Sequence, residues 1–168
     1  NKRLMLGNKI VLKHLLEQTP FHDSLRLHYS YLFGGTQQTT NTSAFDNLKS
    51  IGFDLIRNDQ LRRNITTLYS EEYRILHSQE VDFLSKVQLN NISNEIHGKV
   101  IIDELWKSAY PIDIVSLRDD EEFKGMVRMN TLLFGFALRL YENAEAHIVD
   151  LTVQIDGELK KRNNDTFI

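Results

Sequence analysis

The 168-residue chain contains no cysteine, only two prolines and eight glycines. The absence of cysteine excludes disulfides, thiol catalysis and cysteine-ligated metal sites. Scarce proline and glycine leave long uninterrupted stretches, which favour helices over a fold with many turns. No stretch of the sequence approaches the ~20 consecutive apolar residues that a membrane-spanning helix needs. A formal net charge of −3 gives no basic surplus that would favour nucleic acid or an anionic membrane surface.

Apolar residues recur at helical spacing through most of the chain. These stripes predict main helices over residues 1–18, 20–33, 59–110 with a polar interruption near 90–94, and 119–162. The second helix is predicted to open with Pro20 at its first position, after Thr19 as the cap. Pro111 is predicted to end the third helix. The sequence therefore predicts one all-α domain over residues 1–168, an antiparallel bundle of about four main helices plus one short helix near Ala44–Ser50.

The segment from Thr39 to Tyr69 contains a helix start, a helix stop and a second helix start. A threonine or serine followed by an aspartate at capping-box spacing predicts the start of the short helix. A glycine followed by a phenylalanine predicts its end, with glycine in a left-handed conformation and phenylalanine packed back on a leucine. An asparagine before the next apolar stripe predicts a second N-cap. The predicted structural residues are Ser43, with Thr42 as the alternative cap, and Asp46, Leu48, Gly52, Phe53 and Asn58.

Two short helices around a glycine also fit the outline of a helix-turn-helix DNA-binding motif. Between Asp46 and Arg63, however, four basic residues accompany three acidic ones. Such a balance leaves no surplus of positive charge for phosphates. We therefore expect no nucleic-acid partner.

Histidine and carboxylate residues suggest metal or catalytic chemistry at a few positions. Three predicted helices place a carboxylate three residues after a histidine, as His14–Glu17, His77–Glu80 and His147–Asp150. Di-iron bundles use the opposite order, glutamate before histidine, so these pairs are interpreted as ordinary helix neighbours. The consecutive residues 22–24, His-Asp-Ser, point to different faces of a helix and cannot converge as a triad. The sequence predicts no catalytic, cofactor-binding or metal-ligating residue, and no cofactor.

The pattern S-A-F-x-x-L-K-S-x-G-x-x-L-I-x-N-x-x-L-R runs from Ser43 to Arg62, with the sequence PFHDSL upstream at residues 20–25. On these residues the chain resembles a family of uncharacterised bacterial single-pass membrane proteins. The resemblance implies a short basic N-terminus, one transmembrane helix and a helical extracytoplasmic domain, and it implies no active site. Since the sequence lacks the spanning helix, we expect a missing N-terminal anchor, trimmed before Asn1, with residues 1–18 as the stalk. The resemblance places the domain in the cell envelope, on the extracytoplasmic side of the inner membrane.

Two functions of different classes follow from these observations. The first is a non-enzymatic, membrane-tethered helical domain for protein interaction or sensing, with an unknown protein partner and homodimerisation through the amphipathic first helix. The alternative is a helical ligand-binding protein or metal-dependent enzyme with an internal bundle pocket. Inward-facing polar groups on the last helix, near Arg139 or His147, would indicate the alternative, because a polar group in a core must be satisfied or functional.

Overall fold

The computed structural model describes residues 1–34, 40–81, 86 and 93–165. These residues are mostly helical, so the all-α prediction is confirmed. The helices are α1 (Lys2–Glu17), α2 (Arg26–Ser30), α3 (Ser43–Ile51), α4 (Asp59–Thr67), α5 (Tyr73–Ser78), α6 (Ser93–His97), α7 (Ile114–Asp119) and α8 (Glu121–Asp165). Two strands, β1 (Val100–Glu104) and β2 (Ser108–Pro111), form one antiparallel hairpin.

The chain packs into two compact units, each assembled from two separate stretches of sequence. Unit 1 comprises Asn1–Gln37 and Gln79–Arg139, and unit 2 comprises Gln38–Ser78 and Leu140–Ile168. Helix α8 contributes its first part to unit 1 and the remainder to unit 2. Each unit has its own cluster of buried apolar side chains.

The core of unit 1 collects the apolar faces of α1, α2, the hairpin and the first part of α8. The stripe predicted for the first helix lies inside this core, where Val11 and Leu15 are fully buried. The buried members of the cluster are Val11, Leu15, Tyr29, Leu32, Ile96, Val100, Ala109, Leu117, Phe123 and Val127. Helix α1 ends at Glu17, and the next residue, Gln18, adopts a left-handed conformation.

The second helix begins later than the sequence predicted. Thr19 and Pro20 do not start it; the chain stays non-helical until a 3₁₀ turn at Asp23–Leu25, which leads directly into α2. His22 has extended backbone angles, and its ring nitrogen Nδ1 accepts a hydrogen bond from the N–H of Ser24 at 3.2 Å. A side chain that binds the backbone locally competes with helix formation, which explains the later start.

The hairpin replaces a helix that the sequence predicted over residues 96–110. Only the first residues of that range are helical, in α6, and the prediction is wrong from Val100 onward. The consecutive residues Val100, Ile101 and Ile102 are β-branched and suit a strand better than a helix. The strands pair with Val100 opposite Pro111 and Ile102 opposite Ala109, and the register shifts between Ile102 and Glu104. The helical spacing of the apolar residues from Val100 onward therefore predicted the wrong element.

Two polar groups lie in the interior of unit 1 and bind each other. Asn130 of α8 donates its side-chain N–H to the Oδ1 of Asn8 at 2.9 Å and to the carbonyl of Leu32 at 2.8 Å. Asn8 in turn donates to the carbonyls of Leu4 at 2.8 Å and Tyr31 at 2.9 Å. Both asparagines are completely buried. This network joins α1, α8 and the chain that follows α2.

A buried histidine in the same unit gives it a predicted sensitivity to acid. The Nδ1 of His14 lies 3.0 Å from the hydroxyl of Tyr29, and its Nε2 is also buried. Burial lowers the pKa of His14 below its usual value of 6.5, and the positive charge of Arg118 lowers it further, against opposing backbone hydrogen bonds at Thr19 and Pro20. Burial also lowers the pKa of His28.

We expect the free energy of unfolding to fall as the pH is lowered through this range. The unfolded chain takes up protons near pH 6.5 that the folded chain excludes, so the stabilisation is complete above 6.5 and is lost as the pH falls toward the lowered pKa of the folded state. Urea unfolding between about pH 7.5 and about pH 5.5 measures this slope. The substitution His14→Gln should flatten the slope and leave only the part due to His28. Identical slopes for the variant and the parent chain would contradict the assignment to His14.

Unit 2 is built from α3, α4, α5 and the second part of α8. The buried members of its main apolar cluster are Phe45, Leu61, Ile65, Leu68 and Leu151. The rings of Phe45 and Tyr69 stack with centroids 4.6 Å apart, and Tyr73 meets Tyr69 edge to face at 5.1 Å. Between α4 and α5 the helix widens into a single π turn at Leu68–Glu72. The helix predicted from Asp59 onward is thus helical through Ser78, with a local change of hydrogen-bond register, and its predicted continuation at residues 82–85 and 87–92 lies outside the described residues.

Candidate functional site

The predicted structural residues all lie in unit 2, where they shape the turn between α3 and α4. Helix α3 begins after Thr42, whose hydroxyl donates a hydrogen bond to the Asp46 carboxylate at 2.8 Å. The N–H of Ser43 is instead satisfied by the side-chain oxygen of Asn41 at 3.0 Å. The capping contact between Thr42 and Asp46 is thus made between side chains, and no N–H of the described backbone donates to the Thr42 hydroxyl.

Gly52 ends α3 in a conformation that few other residues tolerate. Its φ is 113°, and its N–H donates to the carbonyl of Leu48 at 2.9 Å. Both Leu48 and Phe53 pack against the core of unit 2, and the ring of Phe53 lies 5.8 Å from that of Phe45. The chain therefore turns sharply at Gly52 and directs the next residues, Phe53–Leu55, into a 3₁₀ turn.

Asn58 caps α4 through its side-chain oxygen. The Oδ1 accepts hydrogen bonds from the N–H groups of Gln60 at 3.0 Å and Leu61 at 3.1 Å. These groups are two of the N–H groups that a helix cannot satisfy internally.

The substitution Asn58→Ala is expected to lower the free energy of unfolding by about 1 kcal/mol, because two helix N–H groups lose their acceptor. Thr42→Ala is the matched control. The Thr42 hydroxyl binds an exposed carboxylate, so its removal should lower the free energy of unfolding by less than about 0.5 kcal/mol. Denaturant unfolding followed by circular dichroism measures both values. A larger effect at Thr42 than at Asn58 would contradict this assignment of the caps.

The turn creates an open apolar groove in unit 2, which we call the unit 2 groove. One wall is formed by Leu55, Ile56, Leu61 and Ile65, the other by Ile155 and Leu159 of α8, with Glu158 and Arg162 also lining it. The cavity volume is about 230 Å³. Leu55 is 51% exposed and Leu159 is 54% exposed, so both walls present apolar surface to solvent. The guanidinium of Arg162 donates to the carbonyl of Leu55 and ties the two walls together.

A second, polar cavity of about 140 Å³ lies between α4, the π turn and α8 in unit 2. At its edge the Nδ1 of His147 binds the carboxylate of Glu72. The side chain of Gln154 fixes two further groups of this cavity, accepting a hydrogen bond from Asn64 at 2.9 Å and donating to Asp150 at 2.7 Å. The π turn that carries Glu72 is a kind of irregularity that often occurs at functional sites.

The structure does not bring the histidine–carboxylate pairs of the sequence together as ligand sets. His14 binds Tyr29, whereas Glu17 pairs with Lys13 at 3.7 Å. His147 binds Glu72 rather than Asp150. Across residues 1–34, 40–81, 86 and 93–165, no group of three histidine or carboxylate side chains is arranged to hold a metal ion.

The His-Asp-Ser sequence at residues 22–24 does not form a triad. The Nδ1 of His22 lies 3.1 Å from the hydroxyl of Ser24, but Asp23 turns away and binds Arg26 at 2.9 Å. The group that would orient the imidazole is therefore missing from this trio. Arg139 and His147, the positions that would indicate an internal pocket, are both exposed.

The chain was compared with family models, curated proteins and solved structures. No family model, no curated protein and no solved structure matches the chain. A search of the described helices for one with the length and apolar character to span a bilayer also finds none.

Proposed function

We propose that the chain is a non-enzymatic helical domain that binds a protein partner through the unit 2 groove. The exposed apolar walls of this groove carry the proposal, since an open strip lined by leucine and isoleucine is a typical docking place for an apolar helix face. The partner we propose is an amphipathic helix whose apolar residues recur at helical spacing.

The resemblance to single-pass membrane proteins supports a tether for this domain and an extracytoplasmic location. We propose that an N-terminal anchor holds it on the outer side of the inner membrane. Protease accessibility of a tag after Ile168 tests this in spheroplasts of cells that carry the full-length protein. Cleavage in intact spheroplasts is expected, and protection until lysis would contradict the proposed topology.

Homodimerisation through the first helix remains a separate prediction. The apolar stripe of α1 packs within unit 1, so the apolar side chains that α1 still exposes are Leu6 and Leu16. These two residues would have to provide the contact. Sedimentation showing a monomer at high concentration would contradict it.

Site-specific photo-crosslinking in the host cells tests the unit 2 groove. With p-benzoylphenylalanine in place of Leu159, we expect an adduct with a partner protein, because the side chain lies on the wall of the groove. The matched position is Val153, which is exposed on the same helix and does not line the groove. The substitution Leu55→Glu on the opposite wall should reduce the adduct about tenfold, because a charge there opposes apolar burial.

Three results of this experiment would contradict the proposal. They are the absence of any adduct at position 159, equal adducts at positions 159 and 153, and an adduct unaffected by Leu55→Glu. An adduct with the mass of two chains would identify a second copy as the occupant, in place of a different protein.

The alternative function, a ligand-binding protein or enzyme with an internal pocket, has one supporting observation. The Glu72–His147 pair borders the polar cavity of unit 2, and such a pair is a common acid–base arrangement. The sign expected for the alternative was an inward-facing polar group near Arg139 or His147 on α8, and both of these side chains are exposed. We therefore place it second.

A further inference from the structure

The end of the β-hairpin in unit 1 exposes three large apolar side chains within five residues. Ile102 is 37% exposed, Leu105 is 47% exposed and Trp106 is 48% exposed. We call these three residues the hairpin tip. They surround the connection between β1 and β2, where the N–H of Lys107 donates to the carbonyl of Glu104 at 3.0 Å.

The backbone holds Trp106 in a conformation that does not favour a large side chain. Its φ is 62°, in the left-handed region, and it stands third in the four-residue turn from Glu104 to Lys107. A turn with a positive φ at that position normally takes glycine or asparagine. Strain of this kind persists where the surrounding structure imposes it, and it often marks functional positions. The turn therefore presents an aromatic ring where the backbone alone would favour none.

The indole ring has its nitrogen edge against Gly34, and the side chain remains half exposed. A methyl group built on Gly34 would collide with the indole nitrogen Nε1 and come within 3.3 Å of Cδ1. The nitrogen edge of the ring thus faces Gly34, and Cε2 lies 3.2 Å from the same methyl position. Gly34 itself has φ 140°, which also favours glycine. Two unusual backbone conformations together support the exposed position of the ring.

The charged residues around the hairpin tip are paired with one another. Lys107 binds Glu104, and Arg26 binds Asp103 at 3.0 Å while its guanidinium lies 4.5 Å from the centre of the Tyr110 ring. The hairpin tip therefore presents three apolar side chains, and the charged side chains beside them neutralise one another in ion pairs. This arrangement complements a neutral apolar medium better than a strongly charged surface.

We propose that the hairpin tip inserts into the interface of a zwitterionic lipid bilayer. Tryptophan prefers this layer, because its apolar ring enters the hydrocarbon boundary while its polar edge stays near the headgroups. A protein partner fits less well: a stable protein interface buries about 800 Å² on each side over roughly 20–30 residues, which three projecting side chains do not supply. The paired charges behind the tip would remain among the headgroups.

This contact is independent of the unit 2 groove and of any N-terminal anchor. The tip consists of residues of unit 1 alone. Loss of the groove interaction would leave insertion of the tip unchanged, and failure of insertion would leave the groove proposal intact.

Trp106 is the only tryptophan of the chain and therefore reports on its own environment. We expect phosphatidylcholine vesicles to shift the fluorescence of the 168-residue chain to shorter wavelength, to protect it from iodide and to co-sediment the protein. The substitution Leu105→Glu should lower the partition coefficient about tenfold or more, because an apolar anchor is replaced by a charge. The control Leu132→Glu changes a leucine of α8 in unit 1 that is 67% exposed, and it should leave the partition coefficient unchanged.

The variant Trp106→Gly keeps the test decisive if Leu105→Glu does not fold. Glycine suits the backbone of the turn, so this variant should fold at least as well as the parent while losing co-sedimentation with phosphatidylcholine vesicles.

Several results would overturn the proposal. The first is failure of the parent chain to associate with phosphatidylcholine vesicles, and the second is equal binding by Trp106→Gly or by both leucine variants. The third is binding only to phosphatidylglycerol vesicles that disappears in salt, which would indicate charge attraction. The fourth is a fluorescence shift that depends on protein concentration without lipid, which would assign the tip to a protein contact.

Discussion

Replacing Phe123 with alanine is expected to lower the free energy of unfolding of unit 1 by about 3–5 kcal/mol. Phe123 lies in the first turn of α8 and is completely buried in the core of unit 1. Its N–H is bound by the carboxylate of Asp120 at 2.8 Å, which fixes the start of the helix. Removal of the ring leaves a cavity among well-packed neighbours, and a rigid core closes such a cavity only in part.

Fluorescence of Trp106 during denaturation measures this loss specifically, since the only tryptophan of the chain belongs to unit 1. Phe136→Ala is the matched control: the same change on the same helix, at a ring that is partly exposed to solvent. The control should cost less than about 1.5 kcal/mol, because little apolar surface is withdrawn from water there. Equal losses at the two positions would contradict the packing of α8 described above.

The substitution Asn130→Leu is expected to lower the free energy of unfolding of unit 1 by about 2–4 kcal/mol. The new side chain has a similar size but cannot donate, so the carbonyl of Leu32 and the Oδ1 of Asn8 lose a buried hydrogen bond. A buried acceptor without a partner costs more than the hydrogen bond contributed, because water cannot reach it.

The double substitution Asn8→Leu with Asn130→Leu measures how far the contribution of each asparagine to the free energy of unfolding depends on the other. If the two side chains depend on each other, the double variant should lose at least about 1 kcal/mol less than the sum of the single variants. Arg139→Leu, a polar residue exposed on the same helix, should change the free energy of unfolding by no more than about 0.5 kcal/mol. Strict additivity would show that Asn8 and Asn130 act separately.

The sequence predicted those parts of the fold that depend on neighbouring residues. The start of α8 follows from acidic residues in its first turn, and Asn58 and Gly52 mark helix ends through contacts within four residues of chain. Such signals are local, so they can be read without knowing the rest of the structure. They also suffice for the all-α prediction.

The hairpin could not be predicted from the same rules. The residues Ile96, Val100 and Ile101 have helical spacing, yet β-branched residues beside a tight turn form strands once β2 packs against α2. The turn itself carries no glycine, because Trp106 occupies the left-handed position. A sequence rule that looks for glycine or asparagine there finds nothing.

The candidate sites depend on residues far apart in the sequence and were missed for that reason. The unit 2 groove joins Leu55 to Leu159, and the polar cavity joins Glu72 to His147. The sequence contained a partial signal for the groove, since Leu55 and Ile56 follow the glycine turn directly and Ile155 and Leu159 lie one helical turn apart. Only the packing of α8 in unit 2 brings these pairs together.

The division of each unit into two stretches of sequence sets an order for folding during synthesis. Residues 38–78 leave the ribosome before the second part of unit 1 exists, and their own partner in α8 is made after that part. Leu61 and Ile65 must therefore wait for Leu151 and Ile155, about ninety residues later. At 5–20 residues per second this delay is roughly 5–20 s. During that interval the apolar face of α4 is open to chaperones and to other nascent chains.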